Sequence, residues 1–173
     1  MTRLDMVELI YKKIDRKDEN QLRKLIADVL AETPAEFFIP YEEWELNSLF
    51  DESYAPLYGA YDGDILAGSA QLYVQQKMLQ EYKEELGLAD KKVCELGGNL
   101  VSKDYRGRGI QYRLMELQYD LAKKLGFDYI MTMAHPENTA SLKNIQKLGL
   151  KFVKQTRLSN GFLRDIYCSE KLD

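Results

Sequence analysis

A glycine-rich segment, Arg106-Gly107-Arg108-Gly109, follows a predicted strand and leads directly into a predicted helix. The first N–H groups of a helix have no partner within it, and the helix dipole is positive at that end. Glycine lets an anion approach the backbone closely, and Arg113 adds a charged donor to the two arginines of the segment. The segment therefore predicts a phosphate-binding turn; an ordinary strand-to-helix turn with exposed arginines is the alternative.

Two other phosphate-binding patterns fit this segment less well. A dinucleotide-binding fingerprint has the form G-x-G-x-x-G, and Tyr112 occupies its third glycine position here. A P-loop needs a Gly-Lys-Ser/Thr sequence, which the chain does not contain. The phosphate that this turn would bind therefore belongs to another type of ligand.

The elements that must position this turn form a single mixed α/β domain over residues 1–173, because no repeat or linker divides the chain. Apolar periodicity, turn residues and caps predict the element order. Strands are predicted at 7–14, 57–61, 65–74, 93–101, 129–133, 152–158 and 162–168, and helices at 18–30, within 41–50, and at 77–86, 110–125 and 136–148. The predicted strand at 93–101 contains Gly97-Gly98, a pair that indicates a bulge or the close approach of a ligand.

Composition and charge exclude several classes of protein. The 173 residues carry a net charge of −4, whereas a protein that coats nucleic acid is usually basic. No apolar run reaches about 18 residues, so neither a transmembrane helix nor a membrane partner is expected, and residues 1–15 do not have the pattern of a targeting segment. Cys94 and Cys168 lie in strand-like contexts without a CxxC pattern, which favours reduced thiols in the cytoplasm over a disulfide. One histidine and two scattered cysteines predict no metal site.

Charge is distributed unevenly along the chain. Residues 32–64 contain nine acidic residues, eight aromatic residues and no Lys or Arg, whereas residues 91–125 carry a net charge of +4. One electronegative and one electropositive zone can bind two ligands of opposite charge, although solvated helix faces are the alternative for most of these side chains. Glu36, Tyr41 and Trp44 are the first residues of the acidic segment that we predict to contact a ligand.

Two groups of residues resemble a known family. The segment Arg106-Gly107-Arg108-Gly109-Ile110 is similar to motif A (R/Q-x-x-G-x-G/A) of the GNAT superfamily of N-acetyltransferases. Asn138, Ser141 and the ending Lys147-Leu148-Gly149-Leu150 resemble its motif B. The element order also resembles that of the family over nearly the whole chain. The resemblance implies a mixed, mostly antiparallel sheet of six or seven strands with splayed central strands and helices on both faces.

The resemblance also implies acetyl-CoA as co-substrate and assigns the residues that bind it. The pyrophosphate contacts fall on the backbone of the glycine turn and on the arginines beside it. The pantetheine arm pairs with the backbone of the predicted strand 93–101, around residues 99–101. The implied coenzyme-binding residues are Asn99, Leu100, Val101, Arg106, Gly107, Arg108, Gly109, Ile110, Gln111, Tyr112 and Asn138. Two positions depart from the pattern: Gln111 replaces the last Gly/Ala of motif A, and Ile145 replaces the tyrosine that acts as general acid in many members.

The implied reaction is attack of an amine on a thioester, and the amine must first lose a proton. Glu95, eleven residues before Arg106, resembles the glutamate base of family members in its spacing. Strict alternation would place Glu95, Gly97 and Asn99 on one face of the strand, although a bulge would change this. A salt-bridge partner at the strand edge is the alternative for Glu95. The neighbouring Cys94 should face the opposite side, and His135 is expected on the surface or in a loop.

These observations predict an acetyl-CoA-dependent N-acetyltransferase that acts on a primary amine by direct attack in a ternary complex. The acceptor is expected to be small and cationic, because of the acidic and aromatic segment, and a homodimer is a further expectation from the resemblance. Two other functions remain open: a non-catalytic acyl-CoA-binding regulatory domain, which the departures at Gln111 and Ile145 motivate, and a protein-interaction module that uses residues 32–64.

Overall fold

The structure is a computed structural model, and it describes residues 8–173. Over these residues the strands and helices follow the predicted order. The strands are β1 (Ile10–Lys13), β2 (Leu57–Asp62), β3 (Ile65–Tyr73), β4 (Val93–Val101), β5 (Tyr129–Ala134), β6 (Lys151–Arg157) and β7 (Leu163–Cys168). The α-helices are α1 (Glu19–Glu32), α2 (Glu43–Asn47), α3 (Gln80–Glu85), α4 (Ile110–Lys124) and α5 (Thr139–Lys147).

The strands form one seven-stranded sheet in the order β1-β2-β3-β4-β5-β7-β6. Every neighbouring pair is antiparallel except β4 and β5, which are parallel. The predicted sheet, mixed but mostly antiparallel, is therefore confirmed. The predicted first strand begins later than expected, at Ile10, and Val7 lies outside the described residues.

Helix α1 covers one face of the sheet through the apolar stripe that its sequence predicts. Leu22, Leu25, Ile26 and Val29 are buried in a cluster with side chains of β2, β3 and β4. Asp18 occupies the N-cap position as predicted, but its carboxylate accepts the hydroxyl hydrogen of Tyr61 at 2.8 Å instead of capping the helix. Because Tyr61 belongs to β2, this hydrogen bond attaches the start of α1 to the sheet.

The helical spacing of Ile110, Leu114, Leu117, Leu121 and Leu125 predicts the buried stripe of α4. The helix covers the opposite face of the sheet, but its buried stripe differs from this one. Ile110 and Leu114 pack as expected, against alanine residues of β2 and β3. Farther along the helix the buried positions are Met115, Gln118 and Ala122, whereas the predicted Leu125 is 43% exposed. Gln118 faces the sheet because its amide has hydrogen-bonding partners there.

The central strands β4 and β5 separate after a short parallel contact. Pairing covers only Val93–Glu95 of β4 and residues 129–131 of β5. In the same part of β4, the register with β3 shifts between the pairs Gln71–Gly97 and Ser69–Leu100, so that β4 contains one extra residue. Gly98 within this bulge has a φ of +58°, a conformation that favours glycine. The splayed central strands that the resemblance implied are therefore present.

Gly97 is required for a different reason from Gly98, because a larger residue would collide with a neighbouring side chain. A Cβ atom on this residue would lie 2.8 Å from Cδ2 of Tyr73 and closer still to another atom of the same ring. We predict that Gly97→Ala lowers the free energy of unfolding by about 1 to 3 kcal/mol, since the ring must move. Urea denaturation measures this loss.

Tyr73→Ala provides the control for this steric interpretation. In that background the ring is absent, and Gly97→Ala should have a much smaller effect. An equal loss of stability in both backgrounds would contradict the role of the tyrosine ring.

Candidate active site

The glycine turn exposes a row of backbone N–H groups. Gly107 and Gly109 have φ angles of +77° and +74°, and no atom lies within 4 Å of the position that a Cβ would take on either residue. The first hydrogen bond of α4 runs from the N–H of Arg113 to the carbonyl of Gly109 at 3.0 Å. The N–H groups of Ile110, Gln111 and Tyr112 therefore have no acceptor within the helix, which leaves them available to an anion.

The predicted side chains around this turn have different surroundings. Arg106 and Arg108 are exposed. The guanidinium of Arg106 lies 3.7 Å from Glu32, and that of Arg108 lies over the ring of Tyr105 at 5.1 Å. The side chain of Ile110 is only 2% exposed, so this residue can offer a ligand nothing but its backbone.

Gln111 links α4 to α5. Its amide nitrogen donates to the hydroxyl of Ser141 at 3.0 Å, and its amide oxygen accepts from Asn144 at 2.8 Å. The side chain of Gln111, at the position where motif A has a small residue, is therefore held against α5. The backbone N–H of Gln111 remains among the exposed N–H groups at the start of α4. Asn138 caps α5, because its side-chain oxygen accepts from the N–H of Ser141 at 3.4 Å.

The gap between β4 and β5 begins where their pairing ends. The N–H of Ser102 donates to the carbonyl of Ala67 in β3 at 2.8 Å, so alternation directs the polar groups of Val101 toward the gap. The Val101 carbonyl accepts from Nε of Arg106 at 3.4 Å. Leu100 pairs with Ser69 of β3 and buries its side chain, with 1% exposed. The backbone of Val101 is thus the part of the predicted segment 99–101 that faces the opening.

The bulge places Glu95 and Asn99 on opposite faces of the sheet, and the expectation that they share a face is wrong. The Asn99 amide donates to Gln118 of α4 at 3.3 Å. Glu95 instead lines a cavity of about 340 Å³ on the other face, together with residues of α2 and α3. The extra residue in β4 reverses the alternation between the two positions.

Aromatic rings and carboxylates dominate the wall of this cavity. Residues from the acidic segment meet others from β3, α3 and β7 there. The aromatic side chains are Phe37, Phe38, Tyr41, Trp44, Tyr54, Tyr73 and Tyr82, and the charged ones are Glu42, Glu45, Glu95 and Arg164. A volume of this size suits a small molecule.

Glu95 has the properties of a proton acceptor. Its half-buried carboxylate has no hydrogen-bond donor and no cation in contact among residues 8–173. Burial, followed by the negative charge of Glu45, raises the pKa of Glu95 to about 7. A carboxylate with such a pKa can both take up and release a proton at neutral pH.

Two tyrosine hydroxyls lie close to the bulge on the same face. Those of Tyr41 and Tyr73 both donate to the side-chain oxygen of the buried Gln71, at 3.0 and 3.2 Å. Burial raises the pKa of both phenols, which keeps them neutral. Ile145, by contrast, is 3% exposed in the core beneath α5 and has no proton to offer.

The three residues of the acidic segment that were predicted to contact a ligand do not all line the cavity. Tyr41 and Trp44 line the cavity, but Glu36 does not. Its carboxylate lies 3.4 Å from Nε2 of His135. That histidine belongs to a loop, as one of the two predicted settings, but it is not on the surface, since it is 6% exposed and stacks on Phe37.

The cysteines lie away from the cavity wall. Cys94 is buried in the cluster beneath α4, and both it and Cys168 are free thiols. No group of side chains within residues 8–173 could hold a metal ion. None of the helices in this part of the chain is both long and apolar enough to cross a membrane.

Comparison with known proteins identifies the family. The sequence model of the Acetyltransferase (GNAT) family matches residues 20–150. No curated protein shows a significant match to the chain. A GNAT-family acetyltransferase from Streptococcus pneumoniae has a TM-score of 0.73 at 17% identity, covering 96% of this chain and 100% of its own. The ribosomal-protein-S18-alanine N-acetyltransferase from Escherichia coli has a TM-score of 0.70 at 15% identity, with 96% of each chain covered.

A third similar structure was solved with coenzyme A. It is a chain of the NatC complex bound to Gag peptide and CoA, with a TM-score of 0.70 at 20% identity, covering 94% of this chain and 98% of that one. The family match spans most of the chain, and the protein belongs to the GNAT acetyltransferase family. Acetyl-CoA is the co-substrate of this family. The open N–H row at Gly107 and Gly109 and the gap beside Val101 fit it.

The glycine turn provides a test of coenzyme binding. We predict that Gly109→Glu abolishes binding of acetyl-CoA, because a carboxylate would stand where the backbone must meet phosphate. Isothermal titration calorimetry measures the affinity. Gly126→Glu is the matched control, since Gly126 has a φ of +75° and open space at the other end of α4. Unchanged affinity in a folded Gly109→Glu protein would contradict the assignment.

The pKa of Glu95 should depend on Glu45. In Glu45→Gln the neighbouring negative charge is lost, which favours the ionised form of Glu95, so its pKa should fall below about 7. The glutamine keeps an acceptor for the N–H of Glu42 at the start of α2. Carbon-13 NMR titration of the glutamate carboxyl groups measures the change.

Glu43→Gln removes the same charge from the same helix at an exposed position outside the cavity. It should leave the pKa of Glu95 unchanged. An equal shift in both variants would assign the effect to net charge and not to the contact within the cavity.

Proposed function

We propose that the protein transfers an acetyl group from acetyl-CoA to the primary amine of a small cationic acceptor, by direct attack in a ternary complex. The observation that carries this proposal is the position of Glu95. Its carboxylate has a raised pKa and no partner, and it lies in a cavity beside the point where β4 and β5 separate. Acceptor and coenzyme can therefore meet at the bulge from opposite sides of the sheet.

Binding of acetyl-CoA is assigned to the glycine turn and to the open side of β4. The N–H groups of Gly107, Gly109, Gln111 and Tyr112 face the pyrophosphate, and Arg106 and Arg108 add charge. The pantetheine arm follows the backbone of β4 at Val101, and the free amide hydrogens of Asn138 face its thioester end. Acetyl-CoA supplies a thioester whose leaving thiolate needs no full protonation, since ordinary thiols have a pKa of about 8.5.

The acceptor side of the reaction depends on charge. An alkylammonium has a pKa of about 10.4 and must lose a proton before its nitrogen can attack. Glu45 and Glu95 attract the ammonium, and the faces of Tyr54 and Trp44 add a cation–π attraction of about 0.5 to 2 kcal/mol. Glu95 then takes the proton on its carboxylate.

Two further expectations concern the setting of this activity. A cytoplasmic location and a homodimer stay predictions from the sequence.

A regulatory domain that binds acyl-CoA without catalysis is the alternative function. It predicts tight binding of CoA and no turnover with any amine. A broad amine panel with acetyl-CoA, followed by release of free thiol, separates the two functions.

Replacement of the base tests the mechanism directly. We predict that Glu95→Gln lowers kcat by about 100-fold or more while the affinity for acetyl-CoA stays unchanged. Part of the loss should be recovered at high pH, where more of the amine is already deprotonated. In the wild-type protein kcat/KM should fall as the pH drops below about 7, because Glu95 becomes protonated.

Cys94→Ala is the neighbouring control, since this thiol faces the other side of β4. It should retain turnover, whereas a covalent acyl-cysteine mechanism would require its loss. A Glu95→Gln protein with wild-type kcat at neutral pH would place the base elsewhere.

A further inference from the structure

Arg164 is an unexpected component of the cavity wall. It is the one Lys, Arg or His side chain among the cavity-lining residues, whose other charged members are Glu42, Glu45 and Glu95. It belongs to β7 and is only 3% exposed. A charge at such a position needs a partner, because burial of an isolated charge is costly.

The protein satisfies only part of this guanidinium. Nη1 donates to the carbonyl of Glu36 at 2.9 Å and to that of Leu163 at 2.7 Å. Within residues 8–173, Nε and Nη2 have no acceptor, and no carboxylate lies within 4.0 Å of the group. The guanidinium carbon lies 5.2 Å from the centre of the Phe162 ring, which provides a cation–π contact but no counter-charge. Burial lowers the pKa of Arg164, as expected for a cation without a counter-charge. The guanidinium remains charged at neutral pH, since its ordinary pKa lies far above 7.

The free edge of the guanidinium and the base are parts of one cavity. Tyr82 of α3 lines the same cavity as both groups. Burial raises the pKa of its phenol most, Glu95 adds to the increase, and Arg164 opposes it. In the sheet, Met131 of β5 is paired with Glu95 on one side and with Cys168 on the other. Arg164 lies four residues before Cys168, which corresponds to roughly 13 Å along β7.

We propose that the acceptor carries a carboxylate in addition to its reacting amine, and that Arg164 binds this carboxylate through its free N–H groups. A planar guanidinium with two unused donors matches a carboxylate. Because Arg164 lies farther along the sheet than Glu95, the amine and the carboxylate of the acceptor must be several bonds apart. A doubly charged phosphate fits less well, since the cavity offers one cation against three acidic side chains. This inference rests on the proposed function and narrows its acceptor: the amine is the cationic group of that proposal, and the carboxylate makes the molecule as a whole zwitterionic.

Matched acceptor pairs test the inference. Each pair consists of an ω-amino acid and its amide, which differ at the carboxyl end alone: 3-aminopropanoate and 6-aminohexanoate, each beside its amide. For the best pair we expect the wild-type kcat/KM to favour the acid by about 10-fold or more, the size of a charge-assisted hydrogen bond. In Arg164→Gln this ratio should fall to about 1, while the affinity for acetyl-CoA is retained.

Arg157→Gln is the control for charge. Arg157 is an exposed arginine of the adjoining strand β6 and donates to the carbonyl of Gly161, so its loss should leave the acid-to-amide ratio unchanged. Arg164→Lys keeps a charge without the planar pair of donors and should give an intermediate ratio. If Arg164→Gln does not fold, the acid-to-amide ratio of Arg164→Lys tests the inference in its place. A wild-type ratio near 1 in every pair, or a ratio that survives in the Arg164 variants, would overturn the inference.

Calorimetry separates this inference from the proposed function. Each acid and amide is titrated into the protein saturated with coenzyme A. Binding of the acid that exceeds binding of the amide and depends on Arg164 would support the inference even if no amine is acetylated. Turnover of amines without any Arg164-dependent preference would support the proposed function and reject the carboxylate site. Absence of both would reject both.

Discussion

The backbone of β4 loses its parallel partner after three residues, and the site depends on how its polar groups are then satisfied. A strand that leaves its neighbour exposes N–H and carbonyl groups, and leaving them buried and unpaired is costly. Here the carbonyl of Leu96 accepts from Thr132 at 2.8 Å, and that of Gly97 accepts from Gln118 at 3.2 Å. Side chains of β5 and α4 thus replace a strand and keep the gap open. This explains why α4 buries a glutamine in an otherwise apolar face.

The bulge that accompanies this break separates the two candidate sites. One extra residue at Gly98 reverses the alternation of β4, so Glu95 faces the cavity and Asn99 faces α4. The glycine turn begins α4 on that second side, while the aromatic cavity lies beneath α2 and α3. Under the proposed function, coenzyme and acceptor would bind on opposite faces and react through the opening between β4 and β5. The same break that removes backbone hydrogen bonds therefore provides the opening that the proposal requires.

The charges of the acidic segment have divided roles. Glu32 pairs with Lys103 and Arg106, and Asp62 accepts the hydroxyl hydrogen of Tyr105, so both support the glycine turn. Glu42 and Glu45 form the capping box of α2 and also line the cavity. The second role gives Glu45 its effect on Glu95, because a negative charge in the same desolvated space opposes the ionisation of Glu95. Arg164 is the one positively charged side chain that lines the same cavity, and no carboxylate among residues 8–173 forms an ion pair with it.

The amino-acid sequence by itself determined the order of the elements, the glycine turn at the start of α4 and the importance of the Gly97-Gly98 pair. These features are local, since they arise from periodicity, caps and glycine conformations within a few residues. The tertiary structure alone decided the direction of Glu95 relative to Asn99, the inward turn of Gln118, the burial of His135 and the separation of Glu36 from the cavity. It also brought Arg164 to a cavity formed mostly by residues far from it in the chain. Each of these depends on contacts between distant segments, and one extra residue in a strand is enough to reverse which side chains meet.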